Sequence, residues 1–316
     1  MKLATYLYQR QQRLGAVDAA GRMVDLHEAY ASYLRAIEAN PSADELSRLT
    51  LGRDMVEFLK RGDKALDAAR KGLAHANAAQ DREVLTLDPK DIRLMAPVPR
   101  PGALVSAGKN FSDHVAEMAS KQGPSSPVAF LKLPGTVIGP RDDIPHPPEV
   151  KNLDYEVELA IVIGKPCVDV SQDLALDYVA GYAAFNDISA RDVIRGENKS
   201  GIHLMGKSFP GFAPMGPYLI TADEIPNPQN LKLNLSVNGE KRQESSLNYM
   251  IFKIPEMIAY WSQMGLHPGD VLTTGTPRGV AAGRKPDQPP WWLKPGDVVE
   301  AEVENVGRLR NRIVSE

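Results

Sequence analysis

The segment Pro97-Val98-Pro99-Arg100-Pro101 constrains this chain more than any other stretch. Each proline fixes its own φ and pushes the residue before it out of the helical region, so no helix and no central strand runs through here. On its N-terminal side, from Leu26 to about Ala79, Ala, Leu, Glu, Lys and Arg recur at helical spacing, broken at Asn40-Pro41-Ser42 and Gly62-Asp63. Ser42 followed by Glu45 has the spacing of a capping box. Ahead of these helices, Lys2 to Leu26 reads as a short β-meander turning at Ala20-Gly21. On the C-terminal side short strands dominate: 128–133, 155–164, 218–221, 231–238, 270–274, 297–303 and 308–314. Asn238-Gly239 is a hairpin turn, and the one extended helix is Ile254 to Met264, with Met257, Ile258, Trp261 and Met264 on one face. The expected fold is α+β and β-rich, with a smaller α/β unit over 1–97 and a larger body over 98–316.

Charge and cysteine content narrow the function classes. A formal net charge of −3 gives no reason to expect a polyanion, so nucleic acid is not an expected partner. Cys167 is the single cysteine, which leaves no disulfide and no thiolate cluster for zinc. No stretch approaches the roughly 20 apolar residues of a membrane span, and Met1 to Leu14 lacks the apolar core of a secretory signal. The expected location is the cytoplasm.

The strongest chemical signal lies in Asp154-Tyr155-Glu156-Val157-Glu158-Leu159-Ala160-Ile161-Val162-Ile163. Residues two apart on a strand share a face, so Glu156 and Glu158 point the same way at the entry to an apolar strand. A lone Glu-x-Glu is most often a solvated strand edge. A second apolar strand, Gly181 to Asn186, ends on Asp187 and supplies a third carboxylate. Three hard oxygen ligands without a nearby thiolate favour Mg²⁺ or Mn²⁺, with Ca²⁺ less favoured and zinc disfavoured. Arg191 and Asp192, just beyond, are expected to pair with each other or to cap the following turn.

Acid–base groups follow the strand Ala103 to Ala107. Gly108-Lys109-Asn110 fits a tight strand-to-helix turn with Ser112 or Asp113 as N-cap. His114 and Glu117, three apart on that helix, share a face; a carboxylate beside an imidazole suits it to general-base work, and the same spacing fits a solvent-exposed first-turn pair as well. Lys207, among Gly206, Phe209 and Pro210, reads either as a partly buried lysine aimed at an anionic substrate or as a solvated one, and Thr274-Gly275-Thr276-Pro277 closes a strand either with a loop able to hold a carboxylate or with a plain turn. His146 is read as a loop residue, Cys167 as no nucleophile, and Trp291-Trp292 as a packing or dimer-contact element.

Taken in order, these segments resemble one known pattern. Gly108-Lys109-Asn110-Phe111 with His114 and Glu117, Phe130-Leu131-Lys132, Glu156-Val157-Glu158-Leu159, Asn186-Asp187-Ile188-Ser189-Ala190-Arg191-Asp192, Gly206-Lys207-Ser208 and Thr274-Gly275-Thr276-Pro277 occur in the order seen in the fumarylacetoacetate hydrolase superfamily. The resemblance runs from about Val98 to the end. It implies a mixed β-sandwich roll, a homodimer, Mg²⁺ or Mn²⁺ on Glu156, Glu158 and Asp187, and a 2-oxo or 1,3-dioxo acid as ligand. It further implies His114 and Glu117 as a catalytic dyad with Lys207, and Lys132, Arg191 and Thr276 as substrate contacts. Residues 1–97 resemble the variable N-terminal domain of longer members. Two departures touch regions that line the family's pocket: Ile194 stands where many members have Gln, and Leu247-Asn248-Tyr249 replaces a more polar stretch.

The resulting expectation is metal-dependent hydrolysis of a carbon–carbon bond in an acylpyruvate-like or 2,4-dioxo acid of the fumarylacetoacetate or fumarylpyruvate type. Decarboxylation of an oxaloacetate-like acid, or isomerisation of a 2-hydroxy-dienoate in aromatic catabolism, would use the same residues. A catalytically silent small-acid sensor is the rival from another class, and His114 with Glu117 argues against it.

Overall fold

The structure, a computed structural model, describes residues 1–78, 86–88, 90–118, 123–285 and 287–316. Its central strand, Val157–Ile163, is buried along its whole length, which is what seven residues without an exposed polar position require. Val157, Leu159, Ile161 and Ile163 face one core while Ala160 and Val162 face another, the period-two alternation of a strand covered on both sides. It pairs antiparallel with Val179–Asn186 on one side and with Val271–Thr273 on the other.

Among the described residues this strand belongs to the larger of two main sheets, and a two-stranded ladder pairs Leu153–Asp154, just before it, with Ser189–Ala190. The larger runs, among the described residues, in the order Thr86–Leu87, Met23–Asp25, Gln11–Val17, Lys2–Tyr8, Ala213–Thr221, Val179–Asn186, Val157–Ile163, Val271–Thr273, Leu104–Ala107, Ala129–Leu131. The smaller has the order Glu240–Ser246, Lys232–Val237, Val298–Val303, Gly307–Ser315, Ile144–His146. Leu233, Leu235, Val299, Ala301, Leu309 and Ile313 of the smaller sheet close the first core against Leu159 and Ile161. The fold is therefore β-rich α+β, as the alternation of short strands predicts.

The N-terminal unit carries the expected meander, Lys2–Tyr8, Gln11–Val17 and Met23–Asp25, and helices Leu26–Ile37, Ala43–Leu51, Met55–Lys60 and Asp63–Ala78. The end of that helical stretch at Ala79 lies outside the described residues. The division at the proline segment is one of sequence character and not of packing. Lys2–Tyr8 pairs with Ala213–Thr221, and Leu3, Leu14, Leu26, Leu34 and Phe58 share a core with Ala160, Val162, Phe185 and Met215.

Four local expectations are not met. Ser42 makes no capping bond, whereas Asp25 and Asp54, which head neighbouring helices, accept backbone N–H bonds. The helix Ser112–Glu117 starts from Phe111 and has no side-chain cap, because Phe111 is fully buried and fixes the entry by packing. Helix Ile254–Ser262 stops short of Met264, which is exposed. His146 sits in a short strand paired with Gly307–Ser315, not in a loop.

Candidate active site

The register of the two central strands assembles the carboxylates. Val157 lies opposite Asn186, and the Asp187 amide donates to the Glu156 carbonyl at 2.9 Å, so Asp187 is brought beside Glu156 although 31 residues separate them in sequence. Oxygen atoms of Glu156, Glu158 and Asp187 all fall within 4.8 Å of one another, and all three residues are buried.

Cations surround two of the three. Lys207 Nζ donates to Glu156 Oε2 at 2.6 Å and to Asp187 Oδ2 at 2.8 Å, and Arg191 Nη2 pairs with Glu156 Oε1. Lys132 Nζ donates to Asp187 Oδ1 at 2.6 Å. Glu158 has no cationic partner within ion-pair distance among the described residues; its Oε2 accepts the Gly275 amide at 2.9 Å. Burial, with Asp187 and Glu156 beside it, pushes the Glu158 carboxyl well above the usual range. Glu156 goes the other way: burial alone would raise it, but Arg191 and Lys207 hold it far below that range. Lys207 is raised despite its burial because Asp187 and Glu156 face it, while burial dominates at Lys132 and lowers it. Three buried carboxylates, one lacking a counter-charge, form the donor set that a hard divalent cation fits.

A cavity of about 630 Å³ opens beside this trio, walled by Glu156, Glu158, Arg191, Lys207, His114, His203, Thr276 and Phe130 among others. The Lys207 ammonium lies 4.8 Å from the Phe130 ring centroid. His114 Nδ1 is 3.6 Å from Glu117 Oε2, close but longer than a hydrogen bond. Glu117 itself is held by the Gly279 amide, 3.0 Å from each of its oxygens. A Cβ on Gly283 would come within 2.6 Å of Glu117 Oε1, so this loop approaches the carboxylate as only glycine allows.

Of the three expected substrate contacts, Arg191 and Thr276 line the cavity and Lys132 does not. Lys132 is not on the cavity wall: its side chain is fully buried behind Asp187, also reaching the Ile188 carbonyl at 3.3 Å, so it holds a carboxylate in place of touching substrate. Arg191 does not pair with Asp192, since adjacent helix positions point apart. It binds Asp154 and Glu156, and Asp192 accepts from the Lys151 amide instead. Thr276 lines the cavity, but its hydroxyl already donates to the Val157 carbonyl at 3.0 Å and accepts from Gln243 at 2.9 Å. Of the two departures, Ile194 does line the cavity, while Leu247-Asn248-Tyr249 does not.

Several residues without an assigned role prove structural to the site. Asn110 bonds the Thr274 and Phe252 carbonyls and the Phe252 amide, tying the turn before His114 to the strand end before Thr276. Gln243, from the smaller sheet, bridges Val157 and Thr276. Asp154 pairs with Arg191 at 2.8 Å. Asp154 keeps the period-two spacing of Glu156 and Glu158, which was the available signal; Gln243 offered none.

The model of the fumarylacetoacetate (FAA) hydrolase C-terminal domain matches residues 103–314. The chain belongs to the fumarylacetoacetate hydrolase family. Oxaloacetate tautomerase Fahd2a, mitochondrial, from Rattus norvegicus is 43% identical over 266 residues, which is 84% of this chain and 80% of that one. Among solved structures, the fumarylacetoacetate hydrolase of Exiguobacterium antarcticum superposes with a TM-score of 0.78 at 31% identity, covering all of both chains. Maleylpyruvate hydrolase from Sphingobium sp. SYK-6, solved with manganese(II) and pyruvate, gives 0.71 at 26% identity over 100% of this chain and 99% of that one. Members of the family perform hydrolase and tautomerase or isomerase chemistry on small molecules, so membership makes this chain an enzyme without fixing which bond it changes. No helix among the described residues is long and apolar enough to cross a membrane.

Proposed function

We propose that the protein is a Mg²⁺- or Mn²⁺-dependent tautomerase that interconverts the keto and enol forms of an oxaloacetate-like 2-oxo acid. The observation that carries this reading is His114, with Glu117 beside it, on the wall of the same cavity as Glu156, Glu158, Lys207 and Arg191. The 43% identity to a protein named as an oxaloacetate tautomerase favours proton transfer over bond hydrolysis.

Glu156, Glu158 and Asp187 would hold a divalent cation, which when bound would supply positive charge beside the reacting oxo group. The remaining work falls to side chains. Lys207 and Arg191, which also pair with the acids of the site, are the cations on the cavity wall beside the trio that a substrate carboxylate would meet. His114 takes the proton from the carbon beside the oxo group and returns it to the oxo oxygen, so one C–H bond is exchanged for one O–H bond. Glu117 stabilises the imidazolium between these steps, and the Gly279 amide holds Glu117 at that task. Positioned acid–base catalysis of this kind contributes about 10²–10⁴-fold.

Carbon–carbon hydrolysis is the second reading, favoured by the maleylpyruvate hydrolase neighbour; there His114 would deprotonate water. Enol absorbance of oxaloacetate followed with Mn²⁺, run beside an acylpyruvate with product analysis, separates the two. The expected result is faster relaxation to keto–enol equilibrium with the carbon skeleton intact, lost in His114→Ala while Mn²⁺ still binds. Cleavage of the acylpyruvate into two acids, with oxaloacetate relaxation unaffected, would refute the tautomerase reading.

A further inference from the structure

We propose that Asp154 is a positioning residue that fixes the carboxylate trio and the His114–Glu117 pair relative to one another. This rests on His114 and Glu117 being the proton-transfer pair. Asp154 is fully buried and its two oxygens are completely engaged. Oδ1 accepts the amides of Ala281 at 2.7 Å and Tyr155 at 2.9 Å; Oδ2 accepts Arg191 Nε at 2.8 Å and the Ala282 amide at 3.1 Å.

Those bonds lead in two directions. Through Arg191, whose Nη2 holds Glu156, Asp154 orients one member of the trio. Through Ala281 and Ala282 it anchors the loop whose Gly279 amide grips Glu117 and whose Gly283 leaves room for that carboxylate. The next residue reinforces the second arm, since Tyr155 Oη donates to the Gly279 carbonyl at 3.2 Å. Three consecutive residues, Asp154, Tyr155 and Glu156, thus touch both halves of the site, and Asp154 anchors each half through its own set of bonds. Two acceptor oxygens are needed here because four donors converge on them; an amide would turn an NH₂ group toward one pair.

The test compares Asp154→Asn, Arg191→Gln, Ala282→Pro, Glu117→Gln and the double variant Asp154→Asn/Glu117→Gln. Backbone amide exchange at 279–283 is read in metal-free protein, and Mn²⁺ affinity by calorimetry; neither depends on which substrate turns over. Asp154→Asn is expected to speed exchange in this loop and weaken Mn²⁺ binding about 10–100-fold, the scale of lost outer-shell partners. Arg191→Gln weakens Mn²⁺ without speeding loop exchange, and Ala282→Pro does the reverse; these two carry the test if Asp154→Asn does not fold. With any 2-oxo acid that turns over, and with Mn²⁺ saturating for each variant, kcat of the double variant stays within about threefold of Glu117→Gln alone, because the two residues act as a unit. Unchanged Mn²⁺ affinity and loop exchange in Asp154→Asn, or kcat losses that multiply, would overturn the proposal. So would Arg191→Gln and Ala282→Pro affecting both readouts alike. Failure of the tautomerase reading would show in the products and leave the exchange and Mn²⁺ results standing.

Discussion

Replacing Lys132 by Met separates two roles that the same lysine could hold. If Lys132 contacts substrate, the variant raises KM and leaves the fold alone. In the structure its ammonium is instead fully buried, 2.6 Å from Asp187 Oδ1, and absent from the cavity wall. Removing one partner of a buried ion pair costs about 3–5 kcal/mol, because the other charge stays buried without compensation. The lower end applies here, since Lys207 still reaches Asp187 Oδ2 at 2.8 Å. An unfolding entropy of about 2.1 cal/mol/K per residue over 316 residues converts a loss of about 3 kcal/mol into a fall of about 5 °C in Tm. Thermal unfolding in excess chelator, beside steady-state kinetics with Mn²⁺, reads both quantities. A Tm within about 1 °C of the parent together with a raised KM would refute the structural role.

Gly283→Ala should lower kcat at least about tenfold with KM little changed, since its Cβ drives the Glu117 carboxylate from its loop; parental kcat would show that Glu117 does not need that position. Glu158→Gln should raise Tm in chelator, where the parental carboxylate lacks a cationic partner, and should remove the stabilisation that Mn²⁺ gives; a variant still stabilised by Mn²⁺ would exclude Glu158 as ligand. At Asp18, burial would raise the carboxyl, but bonds from the Arg22 amide and guanidinium outweigh it and hold it below its ordinary value. A depressed folded-state pKa stabilises the protein above the unfolded-state value and loses that contribution as pH falls through the folded-state one. Asp18→Asn should therefore unfold earlier than the parent at pH 7, by about 1 kcal/mol, with the gap closing below about pH 4; a gap independent of pH between 7 and 3 would contradict this.

Much of the site was legible before any coordinate because its residues announce themselves locally. Glu156 and Glu158 flank Val157 where the central strand begins, Asp187 directly follows the next apolar strand, and His114 and Glu117 share a helix face, all by fixed backbone periodicity. Roles that depend on what approaches from elsewhere were not legible. Lys132 was expected at the substrate and lies behind Asp187, and Arg191 was expected beside Asp192 and reaches back to Asp154. Nothing in a linear string reports how deeply a lysine is covered or which acid a guanidinium will meet across a sheet.

The same distinction holds for the whole fold. By itself the sequence determined most of the longer strands and helices, where the prolines interrupt them, and which acids would cluster, since each follows from local geometry and the alternation of apolar residues. Only the tertiary structure decided that residues 1–97 and 98–316 share one sheet and one core, that Gln243 from the smaller sheet braces Thr276, and that Asp154 links both halves of the site. Those outcomes depend on strand register and on burial, and both are set by contacts between residues far apart in the chain.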